Sequence, residues 1–513
     1  MTEVVARLKD ALQDRSRHER ELRQGGIATR RSACLGFGLL LALTAAAPAL
    51  AQCPDGTPPP CNRAPVPPAR SIAVLTFENA ARDTALDWLG DALAEDLATG
   101  LAGTPGLSVK GAGIVRNAAR VAGHDPRRIG RLVSVRYVVE GSYRPIGPLV
   151  HVSARLLVLP AGDARWGRHY DRPRDSLATL PDAIARDLAA VLTPGTASRR
   201  AERRPVDPRA YEAYQRGRFF FLRGDILTAR ALFEEAIGRD SSSAAAWAGV
   251  AMVWGELADA AAAPLEGYAR GRAAAQRALA LDSTIATAYV PLAFASGALD
   301  RDCRGGEHLA DRAIVLDSTL PEAWVGRALM LTCQRRAADA LDAVRRAWTI
   351  DSLSSYTGIY YFWVALLVAP ERAAEVFARV RPRLAPDLAQ FWEGYVTLRR
   401  GDCANAERLM RAAAGTIYVG FYVPALVCLG RRAEADSLVR AVIADTAHHY
   451  VSAASVAAGL LALGDRDGAL AWLERAADER SWWAMLLEGW PELAPLHGDP
   501  RYEALRRRLG LAP

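Results

Sequence analysis

The chain has few aromatic residues, very little lysine and only a mild excess of positive charge. Aromatic residues make up 7% of the 513 residues, which disfavours a β-sandwich or an aromatic-lined barrel and favours stacked helices. Lys9 and Lys110 are the two lysines, and without residues 1–51 the net charge falls from +7 to +4, with 56 basic against 52 acidic residues. The arginines alternate with acids, so no basic stripe predicts nucleic-acid binding.

The motifs of common enzyme classes are also missing. The sequence has no Gly-x-Ser-x-Gly nucleophile elbow and no His-Glu-x-x-His zinc motif. The segment Lys110-Gly111-Ala112-Gly113 has Arg116 in place of the third glycine of a dinucleotide fingerprint. His124, His151 and His169 lack metal-ligand spacing. We therefore expect no catalytic residue, no cofactor and no metal, and we predict that the chain is not an enzyme.

An apolar segment near the amino terminus predicts export. Residues 33–51 are uncharged, follow Arg30-Arg31 and end in Ala49-Leu50-Ala51, the small-x-small pattern of a signal-peptide cleavage site. The alternative is an uncleaved helix that anchors the chain in the inner membrane. A twin-arginine signal and a lipobox at Cys53 are lesser alternatives. Either way, the sequence predicts a periplasmic or envelope-associated protein.

Two polar segments flank the apolar one. Residues 1–32 include ARLKDALQDRSRHERELRQGGIATRR, which resembles the start of bacterial serine/threonine protein kinases. Arg23 replaces the first glycine of the kinase phosphate loop, and no kinase catalytic motifs follow. The segment is therefore interpreted as a kinase-gene remnant or the result of a misplaced start codon. Residues 52–70 form a Pro-rich linker in which Cys53 and Cys61 are expected to close a small loop.

Residues 71–193 predict a small α/β domain. SIAVLTF (71–77) has the pattern of a buried strand and is followed by an amphipathic helix from Thr84 to Leu101. Segments 135–144 and 149–159 alternate as a hairpin across Gly147-Pro148, and a helix from Ser176 to Leu192 ends the domain. IAVLTFEN, RYVVEGSYR and LPDAIARDLAAVL, in this order, resemble the amino-terminal-domain-like module of TolB. That resemblance implies a mixed sheet with helices and a binding or structural role.

The rest of the chain repeats itself at about 34 residues. After a linker at 194–206, four phrases share a pattern: a small residue, alanine seven residues later, and aspartate four residues beyond that. The small residues are Ala229, Gly271, Gly306 and Ala340; the alanines are Ala236, Ala278, Ala313 and Ala347; the aspartates are Asp240, Asp282, Asp317 and Asp351. This period is typical of paired-helix solenoids, in which small residues let the two helices of a hairpin touch.

The pattern resembles the tetratricopeptide repeat, with Trp247, Tyr289 and Trp324 at the family's aromatic position in the first helix. The predicted fold is mainly α: the α/β domain followed by an α-solenoid of about eight tetratricopeptide-type hairpins at 207–480. Residues 481–513, rich in tryptophan, are expected to cap the open end.

A repeat array presents an extended concave surface, so the default function is binding a protein or peptide. The repeat register predicts an apolar partner groove, made of Val325, Leu329, Phe362, Phe391, Tyr395 and Leu398. The alternative, that these side chains pack between repeats, stays open.

The cysteine positions predict two disulfides. Without Cys34 of the signal segment six cysteines remain, an even number in an oxidising compartment. Cys303 and Cys403 each lie three residues before the small residue of a second helix, whereas Cys333 and Cys428 each lie seven residues before that of the next hairpin. The start of one second helix and the end of the next first helix meet at the same end of the stack. We therefore expect the bridges Cys303–Cys333 and Cys403–Cys428.

These observations favour a non-enzymatic exported adaptor or scaffold that binds a protein or peptide partner. Two alternatives remain: the sensor or regulatory half of a split kinase signalling system, and an exported enzyme of unrecognised type.

Overall fold

A computed structural model describes residues 67–194, 207–411, 418–446 and 449–511. The predictions for residues 1–32, for the signal or anchor segment 33–51 and for the Cys53–Cys61 loop lie outside the described residues. Most of the two predicted linkers also lies outside them.

Six strands of the α/β domain form one mixed sheet in the order β3-β1-β4-β5-β6, with β2 beside β4. The strands are β1 (Ser71–Val74), β2 (Glu78–Asn79), β3 (Ser108–Val109), β4 (Tyr137–Ile146), β5 (Leu149–Val158) and β6 (Asp163–Pro173). β1 runs parallel to both β3 and β4, whereas β4, β5 and β6 are antiparallel. Gly147 has a φ of 56° in the two-residue connection between β4 and β5, which explains the glycine at the predicted hairpin.

Helices cover both faces of this sheet. They are α1 (Asp87–Ala102), α2 (Ala112–Ala122), α3 (Pro126–Leu132) and α4 (Leu180–Leu192). On one face α1 and α4 pack on Ile72 and Val74, and on the other α2 and α3 pack on Ala73. Because successive strand residues point to opposite faces, β1 can be buried on both sides.

Sixteen further helices among the described residues form eight antiparallel pairs, which confirms the predicted helical solenoid. The pairs are α5 (Pro208–Phe221) with α6 (Ile226–Arg239), α7 (Ala244–Leu257) with α8 (Pro264–Leu281), α9 (Ala286–Ala295) with α10 (Cys303–Leu316), α11 (Pro321–Cys333) with α12 (Ala337–Ile350), α13 (Ser355–Val368) with α14 (Pro370–Val380), α15 (Pro386–Arg399) with α16 (Cys403–Met410), α17 (Val419–Cys428) with α18 (Arg432–Asp445), and α19 (Ala453–Ala462) with α20 (Arg466–Asp478). Short 3-10 turns at Trp482–Gly489 and Pro491–Leu496 precede the last helix, α21 (Pro500–Leu509).

The small residues of the repeat lie where the two helices of a hairpin touch. A Cβ atom at Gly306 would come 2.8 Å from the carbonyl oxygen of Ala293 in the first helix of the same hairpin. Ala229 and Ala340, at the equivalent position, are fully buried. A larger side chain there would push the two backbones apart, which explains the repeated choice of glycine or alanine.

The aspartate that ends each second helix organises the turn to the next hairpin. The Oδ1 atom of Asp282 accepts a hydrogen bond from the backbone N–H of Thr284 at 2.9 Å, and Asp317 and Thr319 repeat this contact at 2.9 Å. The aromatic residue of the following first helix then reaches back, as Trp324 does through Nε1 to the carbonyl oxygen of Ser318 at 3.1 Å. The Asp-Ser-Thr phrase is thus an Asx turn that the aromatic side chain closes.

The α/β domain packs against the first hairpins. Asp96 of α1 accepts hydrogen bonds from the Tyr211 hydroxyl at 2.7 Å and from the Gln215 amide at 3.0 Å, both on α5. Further along the array, the amide of Asn117 on α2 donates to Asp351 at 2.8 Å. These contacts join residues up to 234 positions apart and orient α2 towards the inner face of the solenoid. No helix among the described residues is long and apolar enough to cross a membrane.

Candidate functional site

The structure places the predicted groove residues inside the packing between hairpins. Val325, Leu329, Phe362, Phe391 and Tyr395 are each at most 2% exposed. Leu398 is half-buried.

Contacts between aromatic rings show that Phe362 and Phe391 pack against other side chains. The ring of Phe362 packs edge-to-face on Phe377 at 5.1 Å and on Trp392 at 5.3 Å, and Phe391 stacks on Tyr418 at 4.5 Å. The five buried side chains therefore do not form an exposed groove, and the alternative of packing between repeats describes them. Leu329 also borders a cavity described below.

In α13 and α15 the inner face lies one residue further along. Trp363, next to Phe362, lines an internal cavity together with Trp392, next to Phe391. Successive helix residues point about 100° apart, so an error of one position exchanges packing residues for lining residues. The spacing of Tyr356, Tyr360 and Trp363, at i, i+4 and i+7, is the sequence signal that marks the correct face.

Three adjoining cavities follow this inner face, and we call them together the lumen. The domain-boundary cavity, of about 670 Å³, lies between α2 and the first helices of the early hairpins. The middle cavity has about 300 Å³ and the aromatic cavity about 70 Å³. The first two share Met252, Glu256, Val290 and Tyr356, and the last two share Trp363, Tyr418 and Trp483.

The tryptophan-rich terminal segment, expected to cap the array, also reaches the lumen. The backbone N–H of Trp482 donates to Oδ2 of Asp259 at 2.7 Å, across 223 residues of sequence. Asp259, in the loop after α7, also accepts the hydroxyls of Tyr268 at 3.0 Å and Tyr450 at 3.1 Å. Burial raises the pKa of Asp259, although its hydrogen bonds oppose that shift. One buried carboxyl thus ties the last segment of the chain to the second hairpin.

Carboxyl groups line all three cavities of the lumen. Desolvation raises the pKa of Glu256, which lines the domain-boundary and middle cavities, and raises the pKa of Glu322 to about 7. The pKa of Glu492 is also raised by burial, against a hydrogen bond from Tyr395 at 2.6 Å. The Oε2 atoms of Glu322 and Glu492 have no hydrogen-bond partner among the described residues. Such groups favour ligands that donate hydrogen bonds or carry positive charge.

Both predicted cysteine pairs lie at disulfide distance. Cys303 begins α10 and Cys333 ends α11, with Cα atoms 6.3 Å apart. Cys403 begins α16 and Cys428 ends α17, with Cα atoms 6.0 Å apart. Each pair therefore joins a second helix to the first helix of the next hairpin.

The polar residues of the α/β domain have local partners. Asp83 caps the short turn before α1, and Asp87 accepts a hydrogen bond from Asn79 at 2.8 Å. His151 contacts Asp171 at 2.7 Å and its ring stacks on that of His169 at 5.3 Å. The described residues contain no group of three or more metal-ligand side chains.

Comparison with known proteins gives partial similarities. No protein-family model matches the chain. "Putative adenylate cyclase 3" of Rhizobium meliloti (strain 1021) is 32% identical over 206 residues, which are 38% of this chain and 34% of that protein. The chain thus covers about a third of the length of this relative.

Solved structures with partial similarity include PilW, a type IV pilus biogenesis factor (13% identity, 40% of this chain and 92% of that one, TM-score 0.32). They also include YrrB, a TPR protein with an unusual peptide-binding site (16% identity, 35% of this chain and 89% of that one, TM-score 0.24), and the human IFIT1 dimer with PPP-AAAA (14% identity, 60% and 84%, TM-score 0.36). At these TM-scores, the description of the solenoid rests on the eight hairpins of this chain.

Proposed function

We propose that this chain is a non-enzymatic scaffold whose tetratricopeptide-type solenoid binds an extended segment of a partner protein in the lumen. The observation that carries the proposal is the row of first-helix side chains along the three adjoining cavities. The domain-boundary cavity, at about 670 Å³, is within the size range of ligand sites. Its lining combines aromatic rings with charged groups of both signs, among them Tyr356, Glu322 and Arg116, which suits the side chains and backbone of a peptide.

The α/β domain, which we propose to be a TolB amino-terminal-like module at 71–193, has a structural part in this scheme. Its helix α2 supplies one wall of the domain-boundary cavity, and Asn117 attaches that wall to Asp351. The array would then be 207–480, with 481–513 as a terminal segment. In this arrangement the domain limits how much of a partner segment can enter the lumen.

We further propose that the chain is exported through residues 33–51, cleaved or retained as an anchor, and works in the periplasm or envelope. The two cysteine pairs at bonding distance support this proposal, because disulfides persist in oxidising compartments.

A second candidate function is the sensor or regulatory part of a signalling system. The observation that favours it is the 206-residue match to a protein named as an adenylate cyclase. Under this proposal the chain would report ligand binding to a separate catalytic protein.

Site-specific photo-crosslinking tests the scaffold proposal. A photoreactive amino acid at Thr287, which is exposed and lines the domain-boundary cavity, should yield a discrete adduct with one partner protein. The matched control is Val315, on the second helix of the same hairpin and 74% exposed outside the lining of the three cavities. Adducts identified by mass spectrometry that form equally at both positions, or at neither, would contradict binding in the lumen.

A further inference from the structure

Five aromatic rings form a closed circuit around the aromatic cavity. Starting from Trp363 on α13, each ring contacts the next: Trp392 on α15, Phe421 on α17, then Trp490 and Trp483 of the terminal segment. Trp483 returns to Trp363 and closes the circuit. The successive centroid distances are 5.9, 5.2, 5.3, 5.6 and 5.4 Å. All five residues line the aromatic cavity, and we call this circuit the aromatic cage.

The dimensions of the aromatic cage suit a small cation. In a regular pentagon with sides of this length, the centre lies about 4.7 Å from every corner, within the roughly 6 Å over which a cation is attracted to a ring face. The cavity of about 70 Å³ has room for roughly five waters at 15 Å³ each, and therefore for a compact group of a few heavy atoms.

The charges around the cage select the sign of that group. Glu492 borders the cavity, and the Tyr395 hydroxyl donates to its Oε1 atom at 2.6 Å, whereas Oε2 has no partner among the described residues. The neighbouring middle cavity adds Glu256 and Asp259. Among the described residues, no arginine or lysine lines either cavity. A purely apolar ligand would leave the Oε2 atom of Glu492 without a partner, and an anion would be repelled.

We propose that the aromatic cage binds a methylated ammonium group, with the rings around its positive charge and Glu492 as its counter-ion. Weakly hydrated alkylammonium groups lose little on leaving water and gain contact with each ring face. Two sources supply this chemistry: a free quaternary ammonium compound and a trimethyllysine side chain that enters through the middle cavity. The proposal concerns the cage alone and does not require that a partner segment fill the lumen.

Calorimetric titration of the full chain with choline tests the chemistry. Its neutral isostere, 3,3-dimethylbutan-1-ol, has the same shape without the charge. We expect choline to bind at least about tenfold more tightly than the isostere, which corresponds to about 1.4 kcal/mol. A trimethyllysine peptide, titrated in parallel, identifies the source: tighter binding than choline assigns the site to a protein side chain, and weaker binding assigns it to a free compound.

Three variants locate the binding. Glu492→Gln keeps the shape and the acceptor for Tyr395 but removes the charge, and Trp363→Leu removes one wall; each should weaken choline binding about tenfold or more. Trp472 lies outside the cage, under Arg475, and Trp472→Leu should leave choline binding unchanged. Equal affinity for choline and the isostere, no choline binding by the wild type, or full affinity in Glu492→Gln would overturn the proposal. Because choline reports on the cage alone, those results would leave the peptide-binding proposal standing.

Discussion

Replacing Asp259 should release the terminal segment from the lumen. Its carboxyl accepts three hydrogen bonds of 2.7–3.1 Å, from Trp482, Tyr268 and Tyr450, and Asp259 is 6% exposed. In Asp259→Ala these donors lose their acceptor inside the protein. At about 1–2 kcal/mol for each lost acceptor, the free energy that holds the terminal segment in place falls by about 3–6 kcal/mol.

The backbone adds a smaller cost. Asp259 has a φ of 62°, a left-handed conformation that aspartate and asparagine tolerate better than alanine. Alanine there costs about 1 kcal/mol more. Asp259→Asn is therefore the matched control, because it keeps the backbone preference. Its Oδ1 can accept from Trp482 and Tyr268 while its amide donates to the Tyr450 hydroxyl, so we expect a loss of only about 1 kcal/mol.

Hydrogen exchange followed by mass spectrometry measures the effect locally, which suits an array whose repeats need not unfold together. In Asp259→Ala, peptides that cover 482–496 should exchange at least about a hundredfold faster than in the wild type, by the conversion of 3 kcal/mol. Peptides from β4 and β5 should be unchanged. The same exchange of 482–496 in the alanine variant and the wild type would refute this account of how the terminal segment is held.

Three further predictions concern the bridges, the packing residues and the lumen. Cys333→Ser and Cys428→Ser should each lower the free energy of unfolding by about 3.5 kcal/mol, from closed loops of 30 and 25 residues; peptide mapping without reductant should find both bridges in the wild type, and free thiols there would contradict the pairing. Phe391→Ala should cost about 3–5 kcal/mol because the ring is fully buried; unchanged thermal melting with lost partner binding would restore the groove. The pKa of Glu322 is raised to about 7, so its contribution to stability is present below pH 4.5 and is lost as the pH rises towards 7. Glu322→Gln should flatten that dependence by about 1–2 kcal/mol in urea melts, since the half-buried group is partly screened; an unchanged profile would assign the dependence to other groups.

The sequence predicted those features that depend on short-range or repeated residue patterns. The alternation of segments 135–144 and 149–159 and the glycine between them are sufficient for the hairpin of β4 and β5. The spacing of Gly271 and Ala278 is sufficient for a helix pair, because the contact between two antiparallel helices needs small residues at a fixed period. The cysteine pairs were predictable for the same reason: they occupy repeated positions of a repeated unit.

In α13 and α15 the repeat register predicts the inner face one residue away from its position in the structure. A small-residue pattern identifies the face that packs on the second helix, but Phe362 and Trp363 are both large and apolar, and either could point inwards. The packing partners decide, since Phe362 fits against Phe377 of its own hairpin and Trp392 of the next hairpin, whereas Trp363 lines the cavity.

The sequence by itself determined the elements: the strands and helices of a small α/β domain, paired helices at a 34-residue period, and the positions of the cysteine pairs. The tertiary structure alone decided that α2 and the terminal segment meet the same inner face, through contacts such as Asn117 with Asp351 and Trp482 with Asp259. Pairings across 200 residues leave no periodic trace in a sequence, because each is a single meeting of side chains that the solenoid brings together. The aromatic cage, built from three first helices and the terminal segment, exists for that reason only in the folded chain.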